Sequence, residues 1–209
     1  MSVFTIWFIR WFVYFYFKTG LARAWYKLYQ FIWEGKKKSR VRRFDTMEAL
    51  VLYMGAMKWR PDTWRELWDA INSPEAIQWK ADNQPSRFIG DCDEFAVYEA
   101  NTVNNELADD SFWGGGELLG ASLLTVMWYK TGGAEWEYNN KGFGGHNVCL
   151  LAYKDRTFSW MDYGNPHGRK TSIQEVVDEV RKMYAMEYVP LGWVASSPRS
   201  LKAALVQKE

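Results

Sequence analysis

The sequence predicts an α+β fold, and three observations predict it. Helix-period apolar patterns with capping signals fill the first half of the chain. Strand-like runs bounded by turn residues dominate from about residue 117 to residue 163. No internal repeat breaks this order of helices first and strands later. At 209 residues with 48% apolar content, the chain has material for one well-buried domain, alone or with an appendage. The natural division is residues 1–44, an aromatic and basic helical segment, and residues 45–209, the main domain.

Residues 3–17 are apolar nearly all round, interrupted by Arg10, and predict a helix. The run is shorter than the roughly 20 residues of a spanning helix and lacks the positive start of a signal peptide. Its Trp and Tyr content suits a bilayer interface. Burial in the protein's own core or in an assembly is the other reading. Leu21, Trp25, Leu28, Tyr29 and Ile32 form one stripe of a second helix, which Gly35 ends. Residues 36–43 form a basic linker. Residues 1–45 hold ten Lys/Arg against two Asp/Glu, a net +8, and the remainder carries −7. Such asymmetry fits an anionic partner or surface, or a basic segment packed on its own acidic domain. A membrane surface or a protein assembly is the partner expected for residues 1–33. No aromatic interleaving marks the basic run as a nucleic-acid reader, so nucleic acid is not expected.

Asp45-Thr46-Met47-Glu48 reads as a capping box opening a helix to about Trp59. Arg60-Pro61-Asp62 breaks it, and residues 63–72 read as a short helix. Ser73 followed by Pro74 starts another, to about Lys80, and residues 81–89 form a polar loop. Asp91 is an N-cap, and Glu94 completes a second box. Phe95, Ala96, Glu99, Ala100 and Val103 continue that helix. Gly114-Gly115-Gly116 is a turn without the spacing of a phosphate loop. Residues 117–130 predict a strand with Leu119, Ala121, Leu123, Thr125 and Met127 on one face. Residues 135–145 are irregular and Gly-rich. Residues 146–153 and 156–163 predict an antiparallel hairpin. His167 falls in the following turn, as a surface residue. Ser172 caps a helix to about Ala185, residues 188–195 form a last strand, and Ser197-Pro198 starts a C-terminal helix.

The chemistry concentrates at Cys92. As the first residue of a helix it sits among unpaired N–H groups at the positive end of the dipole, which favours the thiolate. The neighbouring Asp91, Asp93 and Glu94 oppose this, so a cationic partner is needed. The chain has two histidines. The hairpin sets His146 at the start of one strand beside Asp162 at the end of the next, and a carboxylate there orients the imidazole. Cys92, His146 and Asp162 thus read as nucleophile, base and orienter. Gln84 is a candidate oxyanion donor. Cys149 has opposite strand parity to His146 and reads as a buried apolar residue. Two cysteines make no disulfide framework, which favours a reducing compartment. No His/Cys cluster has metal-ligand spacing, so neither metal nor cofactor is expected.

Gly90-Asp91-Cys92-Asp93-Glu94-Phe95-Ala96, then Gly145-His146-Asn147-Val148, then Trp160-Met161-Asp162, resembles the transglutaminase-like cysteine peptidases of the papain-like superfamily, and most closely the bacterial ones. The resemblance runs from about Ser73 to Asp162. It implies a transglutaminase-like core in which a helix carrying the cysteine packs on an antiparallel sheet carrying the histidine and aspartate. It also implies thiol-dependent acyl transfer on an amide of a peptide, protein or peptidoglycan-type substrate. Hydrolysis is the expected outcome. Protein crosslinking by a transglutaminase, or a non-catalytic module keeping the fold, are the alternatives.

Overall fold

The computed structural model of the chain describes residues 3–59, 71–84, 88–107, 118–132, 142–185 and 187–208. The aromatic run forms α1 (Val3–Lys18), and Gly20, at φ 79°, turns the chain into α2 (Leu21–Tyr29). A π-helical turn, Gln30–Glu34, follows and stops at Gly35. Thr46, not Asp45, caps α3 (Met47–Gly55): it is the last extended residue, and its hydroxyl accepts the Ala49 N–H at 3.2 Å. This helix ends at Gly55, short of the expected Trp59, because Lys58–Trp59 pair as strand β1. The helix expected over 63–72 falls outside the described residues except for Ile71 and Asn72, which are not helical. Ser73 caps α4 (Pro74–Asn83), which runs beyond Lys80 into the expected loop. Strand β2 (Phe88–Gly90) pairs in parallel with β1 and leads into α5 (Cys92–Thr102) and a π-helical turn, Val103–Leu107.

The second half of the chain builds the sheet. Its elements are β3 (Leu118–Gly132), β4 (Gly142–Tyr153), β5 (Phe158–Asp162), β6 (Asn165–Lys170), α6 (Ile173–Tyr184), β7 (Glu187–Ser196) and β8 (Ala203–Lys208). One six-stranded antiparallel sheet, in the order β6-β5-β4-β3-β7-β8, contains every strand after α5 among the described residues. The protein is therefore α+β. Two expectations are corrected at the sheet edges. Residues 165–170 are an edge strand rather than a turn, and His167 is half-buried, its ring stacked on Trp160 at 3.7 Å. The C-terminal helix is replaced by β8, whose backbone groups pair with the edge that β7 would otherwise leave open.

Both faces of the sheet are covered. Ala121, Leu123, Cys149, Leu151 and Met161 join the core beneath α5; Leu124, Val126, Val148, Leu150 and Trp160 join the core beneath α6. Burial on both sides explains why β3 reads as a nearly continuous apolar run with imperfect alternation. Ala121 and Leu123 share one face as expected, whereas Leu119, at the register shift between Leu118 and Gly120, is 61% exposed.

The N-terminal helices dock on this body. α1 lies against β7 and β8, and the Arg10 guanidinium donates two hydrogen bonds to the Pro190 carbonyl at 3.0 and 2.6 Å. Ala22, Tyr26 and Phe44 share a core with Met47, Leu50 and Met54. The Gln30 amide donates to the Ile71 carbonyl at 3.0 Å, and the buried Glu34 carboxylate accepts from the Ser73 backbone N–H and hydroxyl at 2.5 and 2.6 Å. The face that α2 buries is Ala22, Tyr26 and, beyond it, Gln30. Of the apolar stripe Leu21, Trp25, Leu28, Tyr29 and Ile32, Trp25 packs against this core, whereas Leu21, Leu28 and Ile32 are each about half exposed. Gln30 and Glu34, with polar partners across the interface, select the other side.

Candidate active site

The local sequence sets the start of α5 tightly. The Asp91 side chain accepts the Glu94 backbone N–H and Glu94 Oε2 accepts the Asp91 N–H at 3.1 Å, the two arms of a capping box, and Asp91 Oδ1 also accepts the Asp93 N–H at 3.3 Å. Gly90 has φ 146°, and a Cβ there would collide with the Glu94 carboxyl. Both facts require glycine at this position. Glu94 is buried and also accepts from the Asn72 amide, while the Lys80 ammonium stands 3.8 Å away. Lys80 in turn donates to the Ile89 carbonyl at 3.1 Å. One carboxylate thus ties the chain at Asn72, α4 and β2 to the helix that presents Cys92. The thiol is half-buried at the first position of α5.

His146 stands inside β4 rather than at its start, because β3 is long enough to pair with residues back to Gly142. Cys149 pairs with Met161 across β4 and β5, which brings Val148 level with Asp162 and His146 one step further along the same face. His146 Nε2 lies 2.8 Å from Asp162 Oδ1, and both side chains are buried. The second Asp162 oxygen accepts from the Tyr184 hydroxyl. The Tyr184 ring stacks on the imidazole with centroids 3.8 Å apart. Tyr163 packs on His146 at 5.7 Å and edge-on against Phe95 of α5 at 4.9 Å.

His146 is paired with Val126 and so springs from the face that α6 covers, whereas Cys92 arrives on α5 from the other face. The imidazole touches Asp162 and Tyr184 directly and is linked to α5 through Tyr163. Burial pushes the hydroxyls of Tyr163 and Tyr184 well above the usual tyrosine range. The charge of Cys92 and then that of Asp162 add to this for Tyr163. The hydrogen bond to Asp162, its charge and that of Cys92 add to it for Tyr184. Cys92 and Asp162 thus act on the same two tyrosines, which stay protonated, and both tyrosine rings pack on His146.

Cys149 is fully buried beneath α5, and burial followed by the charge of Glu99 pushes its thiol well up. Gln84 caps the end of α4, its N–H donating to the Lys80 carbonyl at 2.9 Å; its side chain has no hydrogen-bond partner among the described residues. Asp91, Cys92 and Asp93 each bring one potential ligand atom within 4.8 Å of the others. Asp91 is engaged as the helix cap and Asp93 is buried.

Sequence reasoning missed Tyr184, Tyr163 and Glu99. Tyr184 reads as the last residue of an amphipathic helix, and no local pattern ties it to Asp162. Glu99 falls on the buried face of α5, where its carboxylate accepts the Gly164 N–H at 2.6 Å. Burial pushes its carboxyl up to about 8, with the Gly164 bond opposing and the charge of Asp162 assisting. The unfolded chain ionises Glu99 near the ordinary carboxylate value, and the folded protein does so only near 8. Stability due to this residue is therefore full at acid pH and is lost as pH rises towards 8, at about 1.4 kcal/mol per pH unit within the window. Glu99→Gln keeps an acceptor for Gly164 and should flatten that part of the curve. Urea melts at several pH values check it.

No family model matches this chain, and neither a curated protein nor a solved structure matches it.

Proposed function

We propose that this protein carries out thiol-dependent acyl transfer on an amide bond, with hydrolysis as the outcome, as a cysteine peptidase or amidase of transglutaminase-like type with a papain-like core. The reading rests on one observation above the others: the buried 2.8 Å contact between His146 Nε2 and Asp162 Oδ1, beside a capped helix that starts with Cys92. With its Nε2–H donating to Asp162, the neutral imidazole keeps Nδ1 as an acceptor. That nitrogen takes the Cys92 proton, and Asp162 stabilises the imidazolium that results. The thiolate attacks the carbonyl carbon of the amide. As the tetrahedral species collapses, the C–N bond breaks and His146 protonates the leaving amine. Water activated by the same imidazole then hydrolyses the thioester, releasing the acid and the free thiol. A peptide, protein or peptidoglycan-type amide is the substrate class. Gln84 is the oxyanion candidate on its residue type alone.

The direct test is alkylation with iodoacetamide across pH, with the modified cysteine located by mass spectrometry. Cys92 should label at neutral pH and Cys149 should not. His146→Ala should slow Cys92 labelling and move its pH dependence upward. Faster labelling of Cys149, or no change on removing His146, would overturn the assignment.

A further inference from the structure

We infer that the N-terminal helices lay this protein on an anionic phospholipid surface, with a lipid phosphate held in the cavity between the α1–α2 junction and β8. The inference is independent of the acyl-transfer reading. α1 is docked by one side only. Arg10, Tyr16 and Phe17 face the body, whereas Trp7, Phe8, Trp11, Phe12 and Phe15 are 42–53% exposed. Positions 7, 8, 11, 12 and 15 recur at helical spacing and form a single outward band. α2 and the π-helical turn after it repeat the pattern with Leu21, Leu28, Phe31 and Ile32 exposed. Half-exposed aromatics of ~150–250 Å² each put the α1 band alone on the order of 500 Å². That is already the size of the largest apolar patch on an ordinary monomer, before α2 is added.

The occupant follows from the charges around the band. A cavity of about 300 Å³ opens at the α1–α2 junction, and its lining includes Lys18, Arg23 and Lys202 but no acidic residue. None of the three forms an ion pair among the described residues. Gly20 begins α2 there without a side-chain cap. Lys18 falls on the same helical face as Trp11 and Phe15, so a cation borders the aromatic band directly. Beyond the helices, Lys36, Lys37, Arg40 and Arg43 are exposed as well. Aromatic rings at the headgroup boundary with cations at phosphate depth are what an anionic bilayer surface accommodates in one layer. A protein partner would have to present an apolar patch and an acidic one in the same register. No described helix is long and apolar enough to cross a membrane, and α1 is held along β7 and β8 by Arg10. The geometry therefore lays the helices in the plane of the interface.

Flotation of the 209-residue protein with vesicles of phosphatidylcholine, with and without phosphatidylglycerol, tests this. Binding should rise at least ~10-fold with the anionic lipid and fall with salt. The K18E/R23E/K202E variant should lose on the order of 100-fold in partitioning to anionic vesicles. W11S/F12S should lose ~10-fold or more. All five positions are on the surface, and circular dichroism confirms that each variant folds; the charge variant alone suffices if the aromatic one does not fold. No flotation with either vesicle overturns the inference, as does flotation indifferent to phosphatidylglycerol and to K18E/R23E/K202E. Soluble glycerophosphate binding in a K18E-sensitive way without vesicle binding would assign the cavity to a free phosphate and overturn the membrane role. A concentration-dependent oligomer broken by W11S/F12S, without vesicle binding, would assign the band to a second copy and do the same.

Discussion

Cys92→Ala is expected to reduce amide hydrolysis to background, a loss of roughly 10⁴-fold or more, and Cys92→Ser should not restore it. A serine hydroxyl is far harder to deprotonate, and His146 alone does not compensate. Asp162→Asn is expected to cost roughly 10²- to 10⁴-fold while the protein stays folded. Its amide can donate to Nε2 and so hold the imidazole as the Nδ1–H tautomer, which cannot accept the thiol proton. Tyr184→Phe keeps the ring stacked on His146 and removes only the hydroxyl on the second Asp162 oxygen, so its loss should be ~10-fold or less. The measurement is turnover of a peptide-library substrate by the wild type and each variant, with thermal melts to certify folding. Undiminished turnover by Cys92→Ala would remove the acyl-transfer reading altogether.

Removing residues 1–44 is expected to leave a chain that does not fold cooperatively. Tyr26 and Phe44 are buried in the same core as Met47, Leu50 and Met54. Burial stabilises each by roughly 1.5–3 kcal/mol. The Glu34 carboxylate accepts two hydrogen bonds from Ser73, and charge-assisted bonds of this kind contribute about 1.5–3 kcal/mol each. Their sum, on the order of 6–12 kcal/mol, rivals the whole stability of an ordinary domain at about 5–15 kcal/mol. Glu34→Ala alone should destabilise by a few kcal/mol, because it strands the buried Ser73 N–H and hydroxyl. Urea titration and limited proteolysis check both. A cooperatively folded 45–209 fragment would instead make the first 44 residues a separable appendage.

The features legible in the sequence are those that neighbours along the chain decide. Asp91 and Glu94 are three residues apart, so the capping box that positions Cys92 is complete within one turn. His146 and Asp162 belong to one hairpin, whose antiparallel pairing brings its two ends together whatever the rest of the fold does. Strand parity likewise buried Cys149 on the face away from His146.

The tertiary structure alone decided what depends on contacts distant in sequence. Tyr184 reaches Asp162 only because α6 packs across β5 and ends beside it. Residues after Ser197 become β8 rather than a helix because the free edge of β7 supplies hydrogen-bond partners. Leu21, Leu28 and Ile32 stay outside because Gln30 and Glu34 find their partners at Ile71 and Ser73 on the opposite side. A period in the sequence shows that a helix has an apolar face. Which face is buried depends on where the polar partners stand, and those positions exist only once distant segments have met.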